Sequence, residues 1–241
     1  MTRAPVALSW SGGKDSSLAL YRLRASTEYE VTVLLTSVTR EYDRVSIHGV
    51  RRSLLERQAA SLGLPLIEVA LEPHSTNAAY QKAFLAALGE LAVTYPAVRQ
   101  IAFGDLYLRD VRAYRDRLLG DTGYHGLYPL WERPTREMAE LFIADGFAAT
   151  LVCVDNSQID ASFAGRRFDR ALLDALPPTA DPCGENGEFH TFVHDGPIFA
   201  EPIAVSRGQI VLREGRFTYC DLLLAEREEP SVTPAPSGAR E

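Results

Sequence analysis

The sequence predicts an α/β fold, a doubly wound parallel sheet followed by a smaller carboxyl-terminal α+β region. Three observations lead there. Apolar runs of strand length alternate with helical segments through the first half of the chain, which implies right-handed β-α-β crossovers. One strand-to-helix junction is broken by two adjacent glycines, Gly12 and Gly13. After Pro202 the pattern changes to short alternating strands around Arg207-Gly208 and Glu214-Gly215, the mark of an antiparallel meander.

The elements follow in order. The apolar run Val6 to Leu8 enters the stretch Ser9-Trp-Ser-Gly-Gly-Lys-Asp-Ser-Ser17, which opens a helix over 15–25. Residues 30–38, rich in Val, Leu and Thr, read as a buried strand. A helix over 54–62 stops at Gly63 and Pro65, and 65–71 form a third strand. Residues 77–95 make a long amphipathic helix, and 100–103 a fourth strand ending in Gly104-Asp105. An aromatic loop follows at 124–131, then a helix over 134–144 and a strand over 148–154. Residues 160–169 open another helix that ends at Pro177-Pro178. The tail, 226–241, has few apolar residues and four that are Pro or Gly, and is expected to be disordered. The division expected is 1–130, 131–225 and that tail.

Composition narrows the function classes. At 241 residues, 46% hydrophobic and 24% charged, the chain can build a sizeable core. Its first apolar run is too short for a signal peptide and no stretch spans a bilayer, so a cytoplasmic protein without membrane contact is expected. A net charge of −7 argues against a broad nucleic-acid groove. Cys153, Cys183 and Cys220 are far apart and form no C-x-x-C pair, so neither a disulfide framework nor a zinc cage is suggested. A homo-oligomer is left open.

The glycine junction reads as a phosphate site. A strand that breaks into a helix leaves backbone N–H groups and the positive end of the helix dipole facing whatever lies above. Gly12 and Gly13 allow close approach of the backbone, Lys14 adds a positive charge, and Ser9, Ser11 and Ser16 add hydroxyls. The Walker pattern is excluded because it needs glycine at Leu8 and a hydroxyl residue at Asp15; G-x-G-x-x-G is also absent. A glycine-rich turn with a surface lysine is the structural alternative. Ligands in such sheets bind at the carboxyl ends of strands, which is also where Gly104 and Asp105 fall. Asp105 is placed to touch ribose, Mg²⁺ or an acceptor, or to cap a helix. Arg109, Arg112 and Asp116 fall at helical spacing with Arg115 alongside, so at least two guanidinium groups could face the same mouth, or the segment forms a solvated face. His48 is a substrate contact or a turn histidine.

A second dense motif is Asp181-Pro-Cys-Gly-Glu-Asn-Gly-Glu-Phe-His-Thr191. Gly184, Glu185, Asn186, Glu188 and His190 are poor core material and good site material, unless they only shape a polar turn. The two carboxylates suit Mg²⁺ or an amine, and His190 suits binding or proton transfer.

The chain from about Val6 to Leu224 resembles the diphthine-ammonia ligase (diphthamide synthase) family of PP-loop ATP pyrophosphatases. The matching residues are Ser11 to Ser16 (SGGKDS), Pro129-Leu-Trp131, Gly165-Arg-Arg167, Gly184 to Thr191 (GENGEFHT) and Pro197-Ile-Phe199. The resemblance implies a HUP-type, Rossmann-like sheet, ATP with Mg²⁺, attack of a carboxylate on the α-phosphorus, and amide formation with ammonia. Lys14 and the loop would hold the phosphates, Asp15 the magnesium or the loop itself. Glu185, Glu188 and His190 would serve the acceptor or ammonia side, and His48, Arg109, Arg112, Gly184 and Asn186 would contact substrate. The match departs at Leu108-Arg-Asp-Val111, where diphthamide-forming members tend to carry Ser-x-Tyr-Gln, and around Ser46-Ile-His48. The acceptor, small-molecule or protein-borne, is therefore open. With no glutaminase domain or amino-terminal cysteine expected, nitrogen comes from free ammonia, an amine or a partner. The rival readings are an adenine-nucleotide sensor without turnover and an ATP-dependent tRNA-modifying enzyme.

Overall fold

The computed structural model describes residues 2–45 and 48–225. Ser46, Ile47 and the tail expected to be disordered lie outside them. The first half alternates strand and helix: β1 (Ala4–Ser9), α1 (Lys14–Arg24), β2 (Tyr29–Thr39), a short β3 (Arg44–Val45) that the sequence did not mark, α2 (Arg52–Leu62), β4 (Leu66–Leu71), α3 (Asn77–Thr94), β5 (Gln100–Ala102), α4 (Arg109–Leu119) and β6 (His125–Leu127). Strand β2 pairs in parallel with β1 and β4, β1 with β5, and β5 with β6, giving the parallel order β4-β2-β1-β5-β6. Strand β3 adds to the end of β2 in antiparallel fashion. The winding direction reverses between β1 and β5, and the crevice above that point is where ligands of such sheets bind.

Side chains alternate across the sheet, so each face buries its own core. Val6, Leu8 and Leu34 face one core with Leu18, Leu54 and Leu55 of α1 and α2. Ala7, Val33 and Leu35 face the other, against Phe84, Leu88 and Leu91 of α3. Helix α2 stops where Gly63 turns left-handed at φ 67°, and α3 starts where the Thr76 side chain accepts from the Ala79 N–H.

Beyond α5 (Thr135–Ala144) the chain builds a second, antiparallel sheet in the order β8-β7-β10-β9, from β7 (Ala148–Asp155), β8 (Phe189–Asp195), β9 (Val205–Arg213) and β10 (Phe217–Leu224). The β9-β10 hairpin is the meander read from the sequence. Every residue of β7 is buried, Cys153 among them, and its Leu151 and Val152 join the α1–α2 core.

Two expectations change. The aromatic loop at 124–131 contains strand β6, because Gly126 lets the chain pass Asp116 and Tyr128, where a Cβ would lie 2.8 Å from both. The helix expected to open over 160–169 is instead a 3-10 turn (Ala161–Phe163) and a six-residue helix α6 (Arg170–Ala175), each begun by its own aspartate, Asp160 and Asp169. Each cap closes its own short turn. Among the described residues no helix is long and apolar enough to cross a membrane.

The end of β7 is fixed by Asp155, whose carboxylate accepts from Arg216 Nε (2.9 Å), Ser157 Oγ (2.7 Å) and Gln158 Nε2 (3.1 Å). Arg216 first, with Ser157 and Gln158, holds this carboxyl well below the usual range despite desolvation. A depressed carboxyl contributes stability above its unfolded pKa, and that contribution is lost as pH falls through the folded value. Asp155→Asn should therefore cost about 1–2 kcal/mol at neutral pH, given solvent screening at half-exposed Arg216. Urea unfolding should show the two proteins converging in acid.

Candidate active site

The phosphate-loop candidate sits at the reversal point and is shaped by backbone contacts. Gly12 has φ +76°, and a Cβ there would stand 2.6 Å from Gln58 Oε1. Gln58, buried on α2, accepts from Trp10 Nε1 (3.0 Å) and donates through Nε2 to the carbonyls of Gly12 (3.0 Å) and Val193 (2.6 Å). The Val193 N–H donates to the same Gly12 carbonyl at 2.9 Å. Gly13 precedes α1 in extended conformation, and its carbonyl accepts from the hydroxyls of Ser16 (3.0 Å) and Ser17 (2.9 Å). A Cβ on Gly104 would lie 2.8 Å from the Asp15 backbone, so only glycine lets the end of β5 abut the first turn of α1.

Not every loop amide faces outward as the sequence reading expects. The Lys14 N–H donates to Thr191 Oγ1 (3.0 Å) and the Gly13 N–H to Ser11 Oγ (3.3 Å). The loop is thereby folded onto β8.

Charge in the site comes in matched pairs. Lys14 is only 3% exposed, and its Nζ stands 2.7 Å from both Asp15 oxygens. Burial works to lower the Lys14 pKa, but Asp15, with Cys183 and Glu185, outweighs it, so the ammonium stays charged. Glu185 is pushed up to about 8 by burial, with Asp15 adding and Lys14 opposing. Its carboxyl receives the Leu106 N–H at 3.4 Å. Burial also raises the Cys183 thiol, whose Sγ donates to the Thr135 carbonyl at 3.1 Å, so it is a neutral wall group rather than a nucleophile.

His48 and His190 lie ring against ring, centroids 4.6 Å apart. Burial lowers the pKa of both, His48 to about 4 with Lys14 contributing, and His190 well below its usual value with His48 and Lys14 contributing. Both rings are neutral at pH 7. His48 Nδ1 stands 3.2 Å from the Thr191 carbonyl, which can only accept, so Nδ1 carries the proton and Nε2 is left an acceptor.

Two cavities meet over the loop. One of about 250 Å³ is lined by Lys14, Asp15, Ser16, Gly104, Asp105, Gly184, Glu185 and His190. The other, about 560 Å³, runs past Trp10, Ser37, Thr39, Tyr80, Val111 and Tyr114. Ser9, Ser11, His48 and Arg115 line both and form the neck between them.

Four residues expected at the site stand elsewhere. Glu188 is buried, and its carboxylate accepts from the N–H groups of Asp181 (2.8 Å) and Asn186 (3.0 Å) and from Asn186 Nδ2 (3.1 Å), so it shapes the loop. Asn186 is exposed and accepts from the Tyr107 hydroxyl at 3.0 Å. Arg109, 86% exposed, points away from the cavities toward Glu132 at 3.7 Å. Arg112 lies over the rings of Tyr128 (4.5 Å) and Trp131 (4.6 Å). The rotational phase of α4 explains this, since Leu108, Val111, Tyr114 and Arg115 are the residues turned to the cavities. Arg115 lies over the Phe103 ring and donates through Nε and Nη2 to Asp105, at 2.6 and 3.1 Å.

Sequence reasoning missed Gln58 as a loop anchor, gave Thr191 no role beyond its place in the second motif, and set Arg115 only beside the two arginines it favoured. A signal existed for Gln58, a glutamine in the apolar stripe formed by Leu54, Leu55, Ala59 and Leu62.

Comparison with known proteins now adds to this geometry. The sequence model of the diphthamide synthase N-terminal domain matches residues 4–125, and that of the diphthamide synthase C-terminal domain matches 134–223. The chain belongs to the diphthamide synthase family. It is similar to the diphthine–ammonia ligase of Schizosaccharomyces pombe, at 22% identity over 242 residues, covering 93% of this chain but only 40% of that relative. The chain thus spans well under half the length of the curated relative it matches. A solved structure described as a predicted subunit of tRNA methyltransferase from Methanocaldococcus jannaschii aligns with TM-score 0.41 and 21% identity, over 61% of this chain and 80% of that one. The family's two matched regions meet at the site: the glycine loop comes from the first, and Glu185, His190 and Thr191 come from the second.

Gly104→Ala should cost about 1–3 kcal/mol, because the clash is with backbone that cannot swing aside; thermal unfolding measures it. Since His48 has a lowered folded pKa, its contribution to stability is full above its unfolded value of about 6.5 and is lost as pH falls toward the folded value. Guanidinium midpoints for His48→Gln should decline less than wild type between those limits.

Proposed function

We propose that this chain is an ATP-dependent ligase that adenylates a carboxylate, releases pyrophosphate and joins the acyl group to ammonia or an amine. The observation that carries the reading is a buried, charged Lys14 beneath a glycine turn at the reversal point of a parallel sheet, facing a polar cavity, in a diphthamide synthase family chain. The nucleotide part falls within residues 1–130 and the substrate-side loop within 131–225. Similarity to the fission-yeast diphthine–ammonia ligase supports ammonia as the nitrogen source and a diphthine-type acceptor. Leu108 and Val111 line the cavities here and depart from the Ser-x-Tyr-Gln element of diphthamide-forming members, so the acceptor is assigned only as a small-molecule or protein-borne carboxylate.

In this reading the nucleoside occupies the larger cavity and the β- and γ-phosphates occupy the smaller one. Lys14 exchanges Asp15 for phosphate oxygens and stabilises charge on the departing pyrophosphate. An acceptor carboxylate oxygen attacks the α-phosphorus while the bond to the β-phosphate oxygen breaks. The ammonia nitrogen then attacks the acyl carbon, AMP leaves, and Glu185 takes the surplus nitrogen proton, a role its near-neutral pKa suits. The Nε2 of His48 accepts a hydrogen bond at the neck, and neutral His190 accepts one in the smaller cavity.

Mg²⁺ fits the donors present. Among the described residues no cluster of three or more metal-ligating side chains occurs, but Mg²⁺ takes few protein ligands, and Asp15, once released by Lys14, would supply one carboxylate to it. Bound there, the ion would neutralise phosphate charge.

Phosphorus NMR after incubation with ATP, ammonium and a panel of carboxylates should show AMP and pyrophosphate; ADP and orthophosphate would overturn the reading, and tight ATP binding without turnover would make the protein a sensor. Lys14→Met should lower kcat by about 10²–10³-fold. The kcat/KM profile should rise as pH passes about 8, where Glu185 loses its proton, and Glu185→Gln should lack that limb.

A further inference from the structure

His48 sits at the neck of both cavities, yet its position is secured from the second sheet. Asp221 on β10 accepts from Arg44 Nη1 at 2.9 Å and from Arg51 Nε and Nη2 at 3.1 and 2.6 Å. These arginines flank His48 on either side and form a β-bridge with each other. Arg44 Nη1 also donates to the carbonyl of Gly49, the residue after His48, at 2.6 Å. Gly49 turns left-handed at φ +67°, and a Cβ there would lie 2.7 Å from the Tyr219 ring, so β10 packs flat on the backbone beside His48. The Val45 N–H donates to the Val50 carbonyl at 2.7 Å and closes the same turn.

One carboxylate therefore ties both ends of the turn to β10. On the far side of His48 stand Thr191, His190 and Gly13, where a Cβ would come within 3.0 Å of His48 Cε1. The imidazole is held between the loop and β8 by a strut that rises from a different strand. Asp221 is mostly buried while its two arginines are partly exposed, so it is the carboxylate whose removal leaves both donors without it.

We propose that Asp221 is a positioning residue for the ligand site, acting through Arg44 and Arg51 to hold His48 against Thr191 and His190 at the neck. An isolated surface ion pair contributes little. Three donor nitrogens converging on one carboxylate, with a ring packed on the adjacent backbone, instead constrain the geometry, and misplacing a site group by about 1 Å has large kinetic consequences. This inference rests on the proposed function only in taking the ligand to be an adenine nucleotide.

The test uses the full chain with Asp221→Asn and Asp221→Glu. Glu68→Gln is the control, since it removes the 2.6 Å pair with Arg52 without touching His48. Two quantities are read: the histidine side-chain signals in ¹H–¹⁵N spectra, with His48 assigned by its loss in His48→Gln, and the affinity for a non-hydrolysable ATP analogue by calorimetry. Asp221→Asn should shift the His48 signals, raise its titration midpoint from about 4 toward the ordinary histidine value, and weaken the analogue by roughly ten- to a hundredfold. Asp221→Glu should recover part of both effects and Glu68→Gln should show neither. Should Asp221→Asn fail to fold, Arg51→Gln, which removes two of the three donor nitrogens from a more exposed position, takes its place with the same expectation. Unchanged His48 signals and unchanged affinity in a folded variant overturn the proposal. A wild-type chain that binds no adenine nucleotide overturns the proposed function instead, and the His48 signals still decide the role of Asp221.

Discussion

The Gly12 carbonyl accepts two hydrogen bonds, one from the Val193 N–H of β8 and one from Gln58 of α2. That single oxygen joins three parts of the molecule: the strand-to-helix turn, the helix packed on one face of the parallel sheet, and the second sheet. Glycine's freedom at φ +76° brings the carbonyl to where both donors meet it. The shape of the loop is therefore a property of the assembled fold. Thr191 reinforces this, since its hydroxyl accepts the Lys14 N–H and its carbonyl faces His48. A chain with only the parallel sheet would keep the glycines and Gln58 but lose Val193 and Thr191, which complete the aim of the loop.

Burial then sets the charge states. An uncompensated charge in a low-dielectric site is costly, and the protein meets that cost by pairing Lys14 with Asp15 and Arg115 with Asp105. Groups without a close countercharge stay neutral: the two histidines through lowered pKa values, Cys183 and Glu185 through raised ones. The result is a polar cavity whose cations are already charged but held by neighbouring carboxylates, so that an incoming polyanion replaces a carboxylate instead of ordering a free lysine. This matches the preorganisation that electrostatic catalysis requires.

Much of the fold was legible because it rests on local regularities. Continuous apolar runs marked β2 and β4, the apolar spacing of 77–95 marked α3, and glycine with proline marked the end of α2. Strand β6 was not legible, because three residues including a glycine carry no usable period and exist as a strand only through pairing with β5. The site was legible in part for the same reason. Glycine loop and acidic loop both stood out as backbone and composition anomalies. Two acidic residues of similar appearance, Glu185 and Glu188, nevertheless point in opposite senses, one into the cavity and one into its own loop.

The amino-acid sequence alone determined where the backbone bends after β1, that a helix follows it, and that a lysine and a cluster of polar groups stand at carboxyl-terminal strand ends, because glycine conformation and apolar periodicity act within a few residues. Only the tertiary structure decided that Arg115 and not Arg109 or Arg112 lines the neck, that Glu188 serves the loop, and that Gln58 and Thr191 aim the glycines. Those outcomes depend on the rotational phase of α4 and on bonds such as that between Lys14 and Thr191, 177 positions apart, which no local pattern encodes.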